Sequence, residues 1–388
     1  MSSRPESGQT AGGGRLIVPV LNSSSRIPAL DGLRGMAILL VLLRHSVFGL
    51  ETTSPVLAGL LATGRLAWSG VDLFFVLSGF LIGGILLDAR QSPRYFRTFY
   101  IRRAYRIFPL YGLVTALFLF RHLPFRLLPG HFGNVSPLSI PWWSYITFTQ
   151  NFFMVRLGWF GPQAMSVSWS LAVEEQFYLT IPLLIWLVRP KRSFYVLVLA
   201  VIGAPVLRIL LGHVLVHGDF ARYVLTPCRA DALSMGVLSA MLVRNPRAWH
   251  WLLQNRRLLA GSTAVLFAGV VIMTYLNCSE FAPPMNTFGF SWMALFYTGC
   301  LLLAVSNVKG SFLHNPALRG LGTLAYCCYL VHAPLIEASR RALSLSLSRD
   351  AALWSGSAVG LGLTLFVAKL SWKYFEKPLL RRGHRFGY

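Results

Sequence analysis

The sequence predicts an all-α membrane protein, a polytopic bundle of about ten transmembrane helices with both termini in the cytosol. Of its 388 residues, 55% are hydrophobic and only 13% are charged, whereas soluble domains carry about 25% charged residues. Apolar runs near twenty residues recur, each long enough to cross a hydrocarbon core of about 30 Å. The formal charge is +23. A soluble nucleic-acid-binding protein with such a charge would contain few long apolar runs. These observations exclude a soluble nucleic-acid binder and a disordered chain.

Ten apolar segments are predicted to span the membrane. They cover residues 31–50, 68–88, 107–122, 168–188, 194–215, 226–243, 258–276, 289–306, 321–341 and 353–374. Pro182 lies inside the fourth segment, where neighbouring helices can satisfy the carbonyl group that it frees. The segments divide the chain into a disordered cytosolic tail (1–28), a transmembrane domain (29–378) and a basic cytosolic tail (379–388).

The predicted orientation follows from the basic residues of the loops. Lys and Arg residues concentrate on the cytosolic side of membrane proteins. The side that holds the N-terminal tail, the 89–106 loop and the C-terminal tail carries 23 of them, and the other side carries six. Both termini are therefore predicted to be cytosolic, and the number of spans is even.

The first span carries two candidate functional residues on one face. Arg34 and His45 are eleven residues apart, which on a helix is three turns plus about 20° and a rise of about 16 Å. A guanidinium group near the cytosolic mouth suits a phosphate or carboxylate, and a deep imidazole suits general-base chemistry on a hydroxyl. The alternative for His45 is a buried histidine hydrogen-bonded to a neighbouring helix. Arg44 either acts on that imidazole or points to another helix.

Asp72 in the second span needs a partner, because a charge at membrane depth is costly. An Arg or His residue of another span is the expected partner. The small residues Ser78 and Gly79 that follow it are also explained by close helix packing alone.

A cytosolic run of arginines precedes the third span. Arg102 and Arg106 share a helix face, and Arg103 and Arg106 lie close. The cluster can bind an anionic ligand, or it can bind lipid headgroups as an ordinary basic loop does. Nucleic acid is not an expected partner, because this patch is flush with the membrane.

Acidic and histidine side chains mark two later spans. The adjacent carboxylates of Glu174 and Glu175 point about 100° apart on a helix, so at most one faces a central site. Their alternative role is an ion pair with Arg208 or Arg229 of another span. His332 taken alone is more simply a structural residue. The sequence has no metal-ligand spacing, P-loop or GxGxxG motif.

Together these residues resemble the acyltransferase-3 family of integral membrane O-acyltransferases. The resemblance is carried by Asp31-Gly-Leu-Arg34-Gly with His45, Gly70-Val-Asp72-Leu-Phe-Phe-Val-Leu-Ser-Gly-Phe-Leu81, Arg103-x-x-Arg106, Trp169-Ser-Leu-Ala-Val-Glu-Glu-Gln-Phe-Tyr178 and Tyr329-Leu-Val-His332. These elements occur in the family's order. The resemblance implies a ten-helix bundle in a bacterial inner membrane that moves an acyl group, often acetyl, from cytosolic acyl-CoA to a hydroxyl group. The implied acceptors are a glycan, a glycolipid or a macrolide.

The resemblance and the spacing assign expected roles to individual residues. Acyl-CoA, with acetyl-CoA as the expected form, is a donor substrate, and no permanently bound cofactor or metal is expected. Membrane lipids are the other expected partners. Some relatives continue into an SGNH-type hydrolase domain, and this chain, which ends about twelve residues after Glu376, is expected to be the membrane domain alone. The assignments are His45, Arg34, Asp72 and Glu174 for catalysis, Arg34, Arg102, Arg103 and Arg106 for the donor, and Trp169, Glu175, Tyr178 and His332 for the acceptor.

A transporter is the competing class, because embedded acids and histidines also build proton relays. Inverted repeats and paired broken helices are the usual signs of a transporter, and neither is visible in the sequence. A third class, a lipid-binding scaffold, predicts that replacing Arg34 and His45 affects stability alone.

Overall fold

The computed structural model describes residues 27–47, 50, 61, 64–127, 140–276, 279–306 and 312–388, and within them it contains helices and no β-strand. Each of the ten predicted spans coincides with a helix. The ten helices are α1 (Pro28–Val47), α2 (Gly70–Ala89), α3 (Tyr95–Leu127), α4 (Ser168–Leu187), α5 (Pro190–Val214), α6 (Ala230–Arg244), α7 (Arg256–Tyr275), α8 (Phe290–Ser306), α9 (Pro316–Leu343) and α10 (Arg349–Ser371). The prediction of an all-α polytopic bundle is confirmed. Most of the predicted N-terminal tail, residues 1–26, lies outside the described part of the chain.

Shorter helices connect or extend the long ones. The α-helical ones are Trp142–Ile146, Gln150–Leu157, Gly218–Val224, Pro246–Gln254 and Lys377–Gly383. The 3-10 turns are Gly64–Ser69, Gln163–Met165, Thr226–Arg229 and Phe312–His314, and the π-helical turns are Met285–Gly289 and Trp372–Glu376.

Seven helices in the described residues are long and apolar enough to cross a membrane: α2, α3, α5 and α7 to α10. They differ in how much of their surface is lipid-facing, since 72% of the most apolar part of α2 is buried against protein and only 6% of that of α7. The remaining three helices, α1, α4 and α6, are shorter or carry charged side chains. Arg34, Arg44 and His45 lie on α1, Glu174 and Glu175 on α4, and Asp231 on α6.

Helix α3 begins at Tyr95, twelve residues before the predicted third span. The arginine run therefore lies on the first turns of a spanning helix, and the prediction of a loop at 89–106 is wrong for most of that segment. The physical reason is that residues 95–106 contain no Gly or Pro and arginine is a good helix former. Long arginine side chains also let a helix enter the interface with their charged ends in water.

Glycine residues bring the central helices into close contact. A methyl group added to Gly35 of α1 would lie 2.0 Å from the carbonyl oxygen of Leu318 on α9, and one on Gly322 would lie 2.0 Å from that of Asp31. A methyl group on Gly79 of α2 would lie 2.0 Å from the carbonyl oxygen of Leu233 on α6. Only a residue without Cβ permits these approaches, and they hold α1 directly against α9.

The bundle has two ends that differ in charge. We call the end where α1 begins and α3 begins the basic end, and the end where α1 finishes the opposite end. The C-terminal segment, residues 377–388, packs at the basic end, where Thr98 Oγ1 donates to the Gly387 carbonyl oxygen at 2.7 Å and Arg102 Nε donates to that of Phe386 at 2.8 Å. Residues 379–388, predicted as a tail, are thus docked on α3.

Candidate active site

A cavity of about 550 Å³ opens at the basic end of the bundle. Helices α1, α2, α3, α4 and α9 and the C-terminal segment enclose it. Its apolar wall comes mainly from α2. Its polar lining consists of Asp31, Arg34, Ser78, Arg103, Arg106, Ser170, Glu174, Tyr178, Thr323, Tyr326, Tyr329, Glu376 and His384. Five residues predicted to be functional, Arg34, Arg103, Arg106, Glu174 and Tyr178, are therefore brought together in one cavity.

No carboxylate in the described part of the chain forms an ion pair with the arginines of the cavity. Within the described residues, none of Arg34, Arg103 and Arg106 forms an ion pair of 4 Å or less. Nε of Arg103 is buried without a hydrogen-bond partner, and the guanidinium carbon lies 6.0 Å from the centre of the Tyr178 ring. Buried donors are nearly always satisfied in proteins, so this set of guanidinium groups is suited to an anion that enters the cavity.

Glu174 is held by a short hydrogen-bond chain. Tyr178 Oη donates to Glu174 Oε2 at 3.2 Å, and the hydroxyl groups of Tyr178 and Ser78 are 2.7 Å apart. Because the Tyr178 proton goes to the carboxylate, Ser78 donates to Tyr178. This chain links α2 to α4 and leaves the second carboxylate oxygen of Glu174 available to the cavity.

A smaller pocket of about 80 Å³ adjoins the cavity at the basic end. It shares Arg103, Arg106 and His384 with the cavity, and it adds Arg102 and Tyr388. Burial lowers the pKa of His384, and the charges of the three arginines lower it further. Arg102 therefore lies beside the cavity lining, in the small pocket.

His45 and His332 form a pair on the far side of the cavity. Their ring centres are 4.6 Å apart with an edge-to-face angle of 74°. Nδ1 of each ring is 2.9 Å from the carbonyl oxygen four residues earlier, Val41 for His45 and Cys328 for His332. A carbonyl oxygen can only accept, so Nδ1 carries the proton in both neutral rings and Nε2 is the basic atom. Nε2 of His332 is buried and has no partner.

The cavity lining contacts this pair through one aromatic ring, that of Tyr329. Phe74 and Tyr329 line the cavity, with ring centres 6.2 Å apart, and the Tyr329 ring centre lies 5.9 Å from that of His332. Tyr329 is fixed by hydrogen bonds with Ser170 and with the Val167 carbonyl oxygen. The prediction that His45 lies deep on α1 agrees with this arrangement, and the rings mark the inner end of the cavity.

Asp72 lies outside the cavity in a buried cluster of charges. It forms an ion pair with Arg229, and nearby Arg208 forms one with Asp231 at 2.9 Å. Each of these four side chains is 1% exposed or less. The expectation that an arginine of another span pairs with Asp72 is confirmed. The alternative role of Glu174 and Glu175, an ion pair with Arg208 or Arg229, is wrong, because Asp231 and Asp72 pair with those arginines.

Three of the four predicted acceptor-binding residues, Trp169, Glu175 and His332, also lie outside the cavity lining. Trp169 is buried, with its ring centre 4.6 Å from that of Tyr223 and 6.1 Å from that of Phe75. Glu175 Oε1 is buried and has no hydrogen-bond partner. Their assigned roles stay predictions, as do those of the other site residues.

Arg44, for which the sequence left two roles open, forms an ion pair with Glu280 at 2.8 Å, a residue outside α1. Two further residues of the site were not identified from the sequence. Arg340 Nη2 donates to the carbonyl oxygen of Ser46 at 2.8 Å and so fixes the end of α1 that carries His45. Glu376 is 7% exposed and lines the cavity. Glu376 is the only acid in the basic stretch from Lys373 to Arg385, and that was the available signal.

Comparisons with known proteins agree with this geometry. The acyltransferase-3 family model, described as an acyltransferase domain, matches residues 27–372. The chain is 28% identical to the Putative peptidoglycan O-acetyltransferase YrhL of Bacillus subtilis (strain 168), over 92% of this chain and 56% of that protein. It is 28% identical to the peptidoglycan O-acetyltransferase OatA of Listeria monocytogenes serovar 1/2a, over 93% of this chain and 57% of that protein. No solved structure matches the chain.

The chain spans less than two thirds of the length of these relatives. The family match, by contrast, covers all ten long helices up to the π-helical turn that follows α10. It includes every helix that lines the cavity and both histidines of the pair. On this evidence, the chain belongs to the acyltransferase-3 family.

Proposed function

We propose that the protein is a membrane O-acyltransferase that moves an acetyl group from acetyl-CoA to a hydroxyl group of a cell-envelope glycan. Membership of an acyltransferase family supports the reaction class. The names of the relatives, peptidoglycan O-acetyltransferases, support acetyl as the acyl group and a glycan as the acceptor. The observation that carries the proposal is the placement of Arg34 and His45 at the two ends of α1.

The donor enters from the basic end in this proposal. Its phosphates meet Arg34, Arg103 and Arg106, whose guanidinium groups match phosphate oxygens in geometry and charge. The pantetheine arm then runs along the apolar wall of α2 toward Phe74 and Tyr329. Helix α1 is continuous from Pro28 to Val47, so the phosphate site and His45 are separated by about 16 Å along its axis.

The histidine pair supplies the base. Nε2 of His45 takes the proton of the acceptor hydroxyl group while the hydroxyl oxygen attacks the thioester carbonyl carbon. The C–S bond breaks, and the CoA thiolate leaves and takes up the proton from the imidazolium. The hydrogen bond to Val41 keeps Nδ1 protonated, so Nε2 is the nitrogen free to act. His332 lies against the same ring and favours a neutral His45, since two imidazolium groups in contact would repel each other.

An acyl-imidazole on His45 is the second route through the same geometry. In it, Nε2 attacks the thioester carbon, CoA leaves, and the acceptor hydroxyl then displaces the imidazole. The two routes differ in one observable. Acetyl-CoA without an acceptor leaves the protein unlabelled in the general-base route and places one acetyl group on His45 in the covalent route, which rapid quenching and mass spectrometry of peptides distinguish.

The test of the proposal is release of CoA by the purified protein in lipid, with acetyl-CoA and soluble glycan fragments as acceptor. We expect release to require the acceptor, and we expect His45→Gln to lower the rate by about a hundredfold to ten-thousandfold. His213→Gln is the matched control, because His213 is an exposed histidine of α5 that lines neither pocket. A folded His45→Gln protein with unchanged acyl transfer would falsify the mechanism. If the unmodified protein releases no CoA when acetyl-CoA and the acceptor are both present, the transporter class is favoured instead.

A further inference from the structure

His45 keeps an exposed surface that the cavity at the basic end does not account for. The residue is only partly buried and does not line that cavity, whereas the neighbouring His332 is fully buried. His45 lies near the end of α1 (Pro28–Val47), at the opposite end of the bundle. The residues around this imidazole at the opposite end are therefore the ones that a molecule approaching from there would meet.

An ion pair stands beside this exposed surface. Arg44 Nη2 donates to Glu280 Oε1 at 2.8 Å, and the two side chains are 21% and 15% exposed. Both charges lie close enough to the His45 ring to act on it. Ion pairs that water can reach contribute little to stability, and the second oxygen of a carboxylate keeps lone pairs for another donor. Glu280 is thus able to bind a ligand while it stays paired with Arg44.

Three phenylalanine rings lie beside the same carboxylate. The ring centre of Phe281 is 5.2 Å from that of Phe220 and 5.4 Å from that of Tyr223, and the Phe160 centre is 4.9 Å from that of Phe220. We call Phe160, Phe220 and Phe281, which are all partly exposed, the phenylalanine cluster. Burial raises the pKa of Tyr223 and the charge of Glu280 raises it further, so the carboxylate and the cluster are neighbours in space as well as in sequence.

A sugar unit offers two kinds of surface that match this arrangement. Its hydroxyl groups donate to carboxylates, and such charge-assisted hydrogen bonds are roughly twice as strong as neutral ones. The C–H faces of its ring pack against aromatic rings, whose faces carry partial negative charge. A simple alcohol has the reacting hydroxyl group but lacks both a second hydroxyl group and a ring face.

We propose that Glu280 determines which acceptor is used: its carboxylate binds a second hydroxyl group of the sugar unit that is acetylated, while the phenylalanine cluster packs against the sugar ring and the reacting hydroxyl group faces His45. Arg44 holds the carboxylate in place. This inference rests on the proposed function and names residues that recognise its acceptor. It gives the opposite end of the bundle a binding role that is separate from the donor cavity.

The experiment uses a soluble tetramer of N-acetylglucosamine as acceptor in the CoA-release assay and varies the tetramer and acetyl-CoA separately. Loss of a hydrogen bond to a charged group predicts that Glu280→Gln raises KM for the tetramer about tenfold to a hundredfold and leaves KM for acetyl-CoA unchanged. Glu337→Gln is the matched control, because Glu337 also forms an ion pair, with Arg341 of the same helix at 2.6 Å. It is expected to change neither KM.

Arg44→Gln separates acceptor binding from the ion pair. It breaks the pair with Glu280 but keeps the carboxylate, so KM for the tetramer is expected to rise less than in Glu280→Gln. Thermal unfolding of each preparation reports the structural cost of the change.

Phe220→Leu tests the phenylalanine cluster and carries the test if Glu280→Gln does not fold. It keeps an apolar side chain but removes the flat ring, which predicts a rise in KM for the tetramer of about twofold to tenfold. Phe267→Leu, at an exposed phenylalanine of the lipid-facing helix α7, is the control and is expected to change nothing.

Three results overturn the inference and leave the proposed function standing. Equal rises in Glu280→Gln and Arg44→Gln assign the effect to the ion pair alone. An unchanged KM for the tetramer in Glu280→Gln, or in Phe220→Leu if that variant carries the test, means that no sugar binds there and that the cluster faces lipid. A raised KM for acetyl-CoA in Glu280→Gln places Glu280 with the donor. Absence of CoA release by the unmodified protein with the tetramer contradicts the proposed function itself.

Discussion

Two groups of arginines in this bundle face opposite electrostatic situations. Arg208 and Arg229 are buried between α5, α6 and α8, and each is paired with an aspartate. Arg34, Arg103 and Arg106 line the cavity at the basic end and lack any such partner among the described residues. A guanidinium group buried in a membrane protein needs a counter-charge. The paired group has its counter-charges in the chain, so it holds helices together, whereas in the proposed function the phosphates of the donor would supply them for the unpaired group.

The comparison makes different predictions for stability and for activity. Removing an acid from the paired group leaves a buried charge without a partner, which is expensive. Removing an arginine from the unpaired group breaks no ion pair of 4 Å or less among the described residues. Folding should therefore depend on the first group, and donor binding should depend on the second.

The largest expected effect comes from Asp72→Asn. The change leaves Arg229 buried without its counter-charge, and breaking such a pair costs about 3–5 kcal/mol. Thermal unfolding of the protein in lipid or detergent measures this loss. Asp88→Asn is the control on the same helix, because Asp88 pairs with Arg244 at 2.7 Å while 37% exposed, and pairs of that kind contribute about 1 kcal/mol or less. Equal stability of Asp72→Asn and Asp88→Asn would contradict a structural role for Asp72 and favour the predicted catalytic one.

Arg34→Gln is expected to weaken donor binding and to leave stability unchanged. Loss of charge-assisted hydrogen bonds to phosphate predicts a rise in KM for acetyl-CoA of about tenfold to a hundredfold, with an unchanged unfolding temperature. Steady-state CoA release and thermal unfolding of one preparation measure both quantities. Arg97→Gln, at an exposed arginine of α3 that lines neither pocket, serves as the control. A destabilised Arg34→Gln protein with an unchanged KM would mean that Arg34 belongs with the paired group.

Ser291→Ala sharpens the comparison within the paired group. Ser291 Oγ accepts from Arg208 Nη2 and donates to Asp231 Oδ2, both at 2.6 Å. Its loss leaves the ion pair in place but removes two hydrogen bonds to charged groups, which predicts about 1.5–3 kcal/mol of lost stability. The KM for acetyl-CoA should not change. A change in KM with no loss of stability would connect this cluster to donor binding.

The smallest expected effect is a pH dependence of donor binding from His384. Its pKa is lowered by burial and by Arg102, Arg103 and Arg106, so the ring is neutral at neutral pH and gains a charge only as the pH falls through that lowered pKa. The added charge faces the small pocket, so KM for acetyl-CoA should fall in acid by about twofold to fivefold relative to His384→Gln. Comparing the two proteins at each pH cancels the titration of the phosphate itself. Identical pH profiles would remove His384 from the donor site.

The sequence predicted the helices better than it predicted the site. Each of the ten long helices follows from an apolar run near twenty residues. The start of α3 was missed because its first turns are basic. A search for apolar runs places the start of the span after Arg106, the last of these arginines. The helix propensity of arginine was the information that could have located the start of α3.

For the site, spacing along a helix accounts for part of the cavity lining. Arg103 and Arg106 line the same cavity, and of the adjacent Glu174 and Glu175 only Glu174 does. Contacts between helices were not available from spacing. The pairing of His45 with His332 and of Arg44 with Glu280 depends on how α1 packs on distant segments. That packing is determined by glycine contacts such as the one between Gly35 of α1 and the backbone of α9.

The continuity of α1 has a consequence for substrate choice. In the proposed function Arg34 binds the phosphates and His45 is the base. Both belong to one continuous helix, so the distance between them along its axis is set by the backbone of that helix and not by how helices pack. A shift of one helix against another would widen or narrow the cavity without changing the axial distance between Arg34 and His45. In the proposed reaction this spacing selects the length of the donor: a thioester on a shorter or longer arm than pantetheine would stop short of the imidazole or pass it.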